Sequence, residues 1–138
     1  MTQRIPAVVV VFVLLGAVPA TAQTPVTVFK GIPQSRISEG GKEASVRQVL
    51  PRDVAVNVGV VISQIGDEYY WASRENTRLI AIDGGGAYVT YLAVNGSGYV
   101  RVVKPEMKIM TSLLSEYDYV EHLLQGLNSV TYYGKREP

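Results

Sequence analysis

The sequence predicts an α+β domain: an antiparallel β-meander of five to seven strands, an open sheet or small half-barrel, packed against one C-terminal amphipathic helix. Three observations carry this. Val54, Val56, Val58, Val60 and Ile62 recur at every second residue, the period of a strand with one aliphatic face. Two glycine-rich turn signals, Asp83-Gly84-Gly85-Gly86 and Asn95-Gly96-Ser97-Gly98, separate short β-prone runs. Met110, Leu113, Leu114, Tyr117, Val120, Leu124 and Leu127 fall on one stripe at about 100° per residue, the spacing of a helix.

Taken in chain order, Met1 to Ala22 reads as a secretory signal peptide. Arg4 supplies the positive start, Ala7 to Val18 is the apolar run, and Ala20-Thr21-Ala22 is the small-residue cleavage pattern. The run is shorter than the roughly 20 residues of a membrane span, and Pro19 stops it. This leaves residues 23–138 as a single mature domain, expected to be exported to a periplasm or the extracellular space, with no transmembrane segment after cleavage.

Residues 23–53 read as a loosely ordered lead-in. Val26-Thr27-Val28-Phe29 alternates like a short strand, but Gly31, Pro33, Gly40 and Gly41 interrupt the chain beyond it. Residues 44–50 fit a strand or a helical turn, ended by Pro51. Residues 54–103 are the meander. The period-two run closes at the Gly66-Asp67 turn, and Glu68 to Ser73, Arg78 to Ile82, Ala87 to Val94 and Tyr99 to Val103 come next as strands. Their connections are too short for parallel crossovers. Pro105 opens the helical pattern, residues 106–127, with Gly126 near its end. Its apolar stripe needs a partner, and the aliphatic face of the sheet supplies one.

Composition narrows the chemistry. The chain has 138 residues, 13 Lys+Arg against 12 Asp+Glu, one His, nine Tyr and no Cys. Charge so balanced argues against an electrostatic nucleic-acid binder. Absent Cys excludes disulfides, thiolate metal sites and thiol nucleophiles, and an exported chain without disulfides suits a bacterial periplasm. One His excludes a His-rich metal site, so neither a cofactor nor a metal is expected.

The sole histidine is a weak catalytic candidate. On a helix His122 sits one turn from Asp118, with Glu121 beside it and Ser115 a further turn away. A small secreted hydrolase is therefore one alternative, yet side chains along one solvated helix face do not form a cleft. The acids Asp67, Glu68 and Glu75 surround a turn and do not converge, and both glycine runs lie between strands rather than before a helix. Asn95-Gly96-Ser97 matches a glycosylation acceptor, a short and commonplace pattern.

Aromatic density in the meander stands above background. Tyr69, Tyr70, Trp71, Tyr91 and Tyr99, with Arg74 and Arg101 near them, form a candidate binding surface. The leading expectation is thus a small exported binding or interaction protein, without turnover, for a small molecule, glycan or protein partner. A structural component of the envelope is the other alternative. A membrane-spanning barrel would also join a leader to strands. It needs eight or more strands of about 9–11 residues, and the runs here are fewer and shorter.

Overall fold

The computed structural model describes residues 23–40, 45–108 and 116–138. The strands are β1 (Val26–Glu39), β2 (Arg47–Val49), β3 (Val60–Ile65), β4 (Glu68–Trp71), β5 (Thr77–Ile82), β6 (Tyr88–Ala93), β7 (Gly98–Val103), β8 (Tyr119–Gln125) and β9 (Asn128–Arg136). A six-residue helix, α1 (Arg52–Asn57), precedes β3, and a 3-10 turn (Pro105–Met107) comes after β7. From β3 onward each strand pairs antiparallel with the next, β1 pairs with β3, and β9 returns to β1. The product is a closed eight-stranded up-and-down barrel with β2 attached to the outside of β1. Closure leaves the eight strands no free edge.

This overturns the expected α+β arrangement, and the C-terminal helix is the main correction. Of residues 106–127, the segment 109–115 lies outside the described residues, Tyr119–Gln125 is β8, and Gly126 (φ 64°) turns the chain into β9. Tyr119, Glu121 and Leu123 face the interior, while Val120, His122 and Leu124 face out. The carboxylate at an interior position broke the apolar alternation, so that the remaining Val and Leu residues matched a helical period instead. Neighbours on both sides, β7 and β9, complete the backbone hydrogen bonding that a helix would have supplied internally.

The lead-in is also more ordered than its glycines suggest. β1, at 14 residues, is the longest strand. Its pairing slips between Thr27 and Phe29 and again between Pro33 and Ser35, so the residues that read as loop punctuation are bulge and bend devices. A Cβ at Gly31 or at Gly134 would run into the Tyr119 ring, which lies across the interior there. The strand expected from Val54 begins only at Val60. Residues 52–57 form α1 behind Pro51, whose carbonyl accepts from Val54 N and Ala55 N. The middle strands β4 to β7 lie where the turn signals place them.

Phe29, Val60, Ile62, Trp71, Leu79, Ala93, Val100, Val102 and Tyr119 fill the barrel. Eight strands enclose just enough width for such a filling or for one small ligand. Leu50 and Ala55 form a second cluster with Tyr132 of β9. Charged residues such as Lys30, Arg78 and Arg101 face outward.

Candidate functional site

In an up-and-down barrel alternate connections share one end. Here the β4–β5, β6–β7 and β8–β9 turns surround a mouth with a cavity of about 440 Å³. Its wall is mostly polar, from Ser73, Thr77, Asn95, Ser97 and Gln125, with Tyr132 and Leu123 as apolar parts. A volume of that order suits a small organic ligand.

Arg74 forms the floor. It leaves the β4–β5 turn and pairs with Glu121 of β8, with Nε donating to Oε1 at 3.0 Å and Nη2 donating to the same oxygen. The guanidinium carbon lies 5.9 Å from the centroid of the Tyr132 ring. Glu121 is only 1% exposed, whereas the Arg74 side chain retains 26% exposure. Burial pushes the Glu121 carboxyl above the usual range, and the neighbouring Arg74 charge and hydrogen bonds pull it part of the way back.

Below that pair lies an unsatisfied polar group of atoms. Glu121 Oε2, Trp71 Nε1 and Tyr119 Oη are buried without a hydrogen-bond partner. The Trp71 indole favours the charged carboxylate by its proximity, although neither atom completes a bond. Burial drives the Tyr119 phenol far up, so it stays neutral. Unpaired polar atoms at the centre of an apolar barrel cost stability, and such costs concentrate at functional sites.

The turn that delivers Arg74 is held firmly. Arg74 N donates to Trp71 O (3.0 Å), and Arg74 O accepts from both Thr77 N (3.1 Å) and Thr77 Oγ1 (2.8 Å). Glu75 and Asn76 sit at φ 56° and 53°, left-handed values that a non-glycine residue adopts at a cost.

The aromatic surface expected from the sequence does not exist as one surface. Trp71 is fully buried, and Tyr69 and Tyr91 pack edge-to-face at 5.4 Å against the same core. Tyr70 faces out and donates to Glu68 Oε2 at 2.6 Å. Tyr99 stacks on His122 at 5.3 Å on the outer wall, and Arg101 lies beside them, its Nε donating to Thr90 Oγ1. Of the seven expected residues only Arg74 reaches the mouth.

The hydrolytic pair is likewise apart. Four residues along a strand span about 13 Å, not one helical turn. Asp118 receives Arg136 N at 2.8 Å and pairs with Lys108, while His122 Nδ1 lies 2.9 Å from Thr131 Oγ1. Glu121 points to the opposite face from His122, and Ser115 lies outside the described residues. Among the described residues no three His, Asp or Glu side chains gather as a cation site.

Sequence reasoning missed Glu121 as a mouth residue and missed Tyr132 altogether. One signal was available for Glu121, namely a lone acid breaking an otherwise apolar alternation. The outer wall adds a different feature: Ile80 and Leu92, cross-strand neighbours on β5 and β6, are 52% and 41% exposed, with Ile82 and Val94 beside them. No protein-family model matches the chain, and comparison with curated proteins and with solved structures returns no match.

Proposed function

We propose that this chain is an exported binding module that takes a small molecule into the mouth of the barrel and does not turn it over. The observation that carries the reading is the polar cavity opening onto a buried Arg74–Glu121 pair, since barrel interiors are otherwise filled with apolar groups. The N-terminal leader pattern supports export. The separation of Asp118 from His122 removes the constellation on which the hydrolase alternative rested.

A thermal-shift screen of small polar compounds tests the reading, because a ligand that binds only the native state raises its melting temperature. At about 100 times its Kd a ligand adds about 2.7 kcal/mol, a shift of several degrees. Ser97→Trp, which fills the mouth from its rim, is expected to abolish the shift while leaving the unliganded melting temperature nearly unchanged. Hits that shift both proteins equally would refute the mouth as the site.

The exposed aliphatic strip on β5 and β6 favours a second reading, docking of a protein partner on the outer wall. Ile80→Glu would then weaken partner capture without touching small-molecule binding.

A further inference from the structure

Taking the mouth as a ligand site, we infer that its ligand carries a carboxylate, received by the outward edge of the Arg74 guanidinium while Glu121 anchors the inner edge.

A guanidinium has five N–H donors in a planar fork. Two of them point at Glu121 Oε1. Among the described residues no acceptor takes the other three, and the side chain, 26% exposed, lines the mouth. An arginine fixed along one edge and open along the other is built to bridge two planar anions, and a carboxylate meets the fork with two parallel hydrogen bonds. A neutral carbonyl would satisfy one of those donors and leave the rest to water.

Pre-organisation points the same way. Three backbone and side-chain bonds hold the Arg74 main chain, the Tyr132 ring backs its guanidinium, and a nine-tenths-buried carboxylate fixes its inner edge. Most of the rotamer entropy of a long side chain is therefore lost before the ligand arrives. Glu121 already balances the Arg74 charge, so a bound carboxylate relies on the free N–H donors of the guanidinium and on the donors of the rim. Around the rim, Asn95 spends its carbonyl oxygen on Ser97 N (3.0 Å), which leaves its amino group as a donor. Ser97 and Gln125 add further neutral donors, and the one acid of the rim, Glu75, is solvent-exposed. The lining thus offers donors to an anion and no second cation, which fits a single carboxylate better than a multiply charged phosphate.

The other arginine at a barrel end lacks this geometry. Arg136 lays its guanidinium 4.8 Å over the Phe29 ring and gives Nη2 to Val103 O at 3.3 Å.

Two isosteric probe pairs separate charge from shape: benzoate against benzamide, and hexanoate against hexanamide. Each is titrated into the full protein and followed by amide and arginine Nε–H nuclear magnetic resonance. The acids are expected to move signals of residues 73–77, 95–97 and 123–125 together with Arg74 Nε–H, at least tenfold more tightly than the amides. The Arg74→Gln/Glu121→Gln double variant removes both charges together, so it keeps the barrel folded. In it acid and amide should bind alike. Arg74→Lys, which keeps the charge and loses the fork, should retain less than a tenth of the acid affinity. If the amides bind at the mouth as tightly as the acids, the carboxylate inference falls and the mouth remains a ligand site. If neither member of either pair moves any mouth signal, while a compound from the neutral screen does, the carboxylate inference again falls alone. If no compound at all moves them, both conclusions fall.

Discussion

Each end of this barrel carries an arginine, and the two are used in opposite ways. At the mouth, Arg74 meets a carboxylate that is almost wholly buried and keeps an open edge toward solvent. At the far end, Arg136 covers Phe29 and donates to the backbone carbonyl of Val103, while its own N–H goes to Asp118, which pairs with Lys108. The second arrangement is a plug: Arg136, Asp118 and Lys108 are all half-buried, and the Asp118 carboxylate is less deeply buried than that of Glu121. The first is costly, because a buried ion pair seldom repays its desolvation. A fold that plugs one end cheaply and leaves a charged pair inside the other has reason to keep the second end open.

Removing each arginine should expose that asymmetry most strongly. Arg74→Ala leaves Glu121 buried without a counter-charge, so a loss of about 3–5 kcal/mol is expected at neutral pH. Arg136→Ala loses a cation–π contact and one hydrogen bond, worth about 1–2 kcal/mol together. Urea denaturation of both variants measures the difference. Adding Glu121→Gln to Arg74→Ala should recover most of the loss, and equal losses at the two ends would contradict the contrast.

Acid titration should separate the ends by sign. Burial holds the folded Glu121 carboxyl above its ordinary value of 4.5 despite Arg74. The folded chain therefore takes up that proton before the unfolded chain does. Relative to Glu121→Gln, wild-type stability should rise as pH falls through the raised value and level off below about 4.5. At Asp118 burial alone would raise the carboxyl, but the hydrogen bonds from Lys108 and Arg136 N, with the Lys108 and Lys135 charges, bring it below its ordinary value of 3.8. Its contribution is present above 3.8 and is lost as pH falls through the lowered folded value. Relative to Asp118→Asn, wild-type stability should fall in that acid range. Parallel trends in the two series would remove the electrostatic contrast.

The same contrast explains what could be read from the sequence. Turn signals such as Gly66-Asp67 and Asn95-Gly96 placed β4 through β7, because short connections fix antiparallel pairing by local geometry alone. Closure of the barrel was not legible, since it depends on β1 meeting β9 across most of the chain, and no local signal records that pairing. Gly31 and Pro33 concealed β1: they serve a bulge and the clearance of Tyr119, both tertiary demands. Glu121 concealed β8 for the reason that makes it interesting, a charge where the strand pattern calls for an aliphatic residue. Arg74 was legible as a binding residue only through its aromatic neighbours, of which Tyr69, Trp71 and Tyr91 serve the core while Tyr70 and Tyr99 face outward.

The smallest effect concerns Asp118 at the plug and His122 on the outer wall, and it decides whether any acid–base unit survives between them. Had residues 118 and 122 been stacked on a helix, changing both would show coupling. Along the extended chain their Cα atoms stand about 13 Å apart, His122 on β8 is engaged with Tyr99 and Thr131, and Asp118, just before β8, with Lys108 and Arg136. The two share no partner. Sites more than about 7–10 Å apart without shared partners add to within about 0.5 kcal/mol. His122→Ala should cost under about 1 kcal/mol, as expected for a partly exposed outer-wall contact, and the double variant His122→Ala/Asp118→Ala should lose the sum of the two single losses to that tolerance. Coupling well above it in a urea double-mutant cycle would mean that the two side chains communicate along the chain, and would reopen them as a candidate acid–base pair.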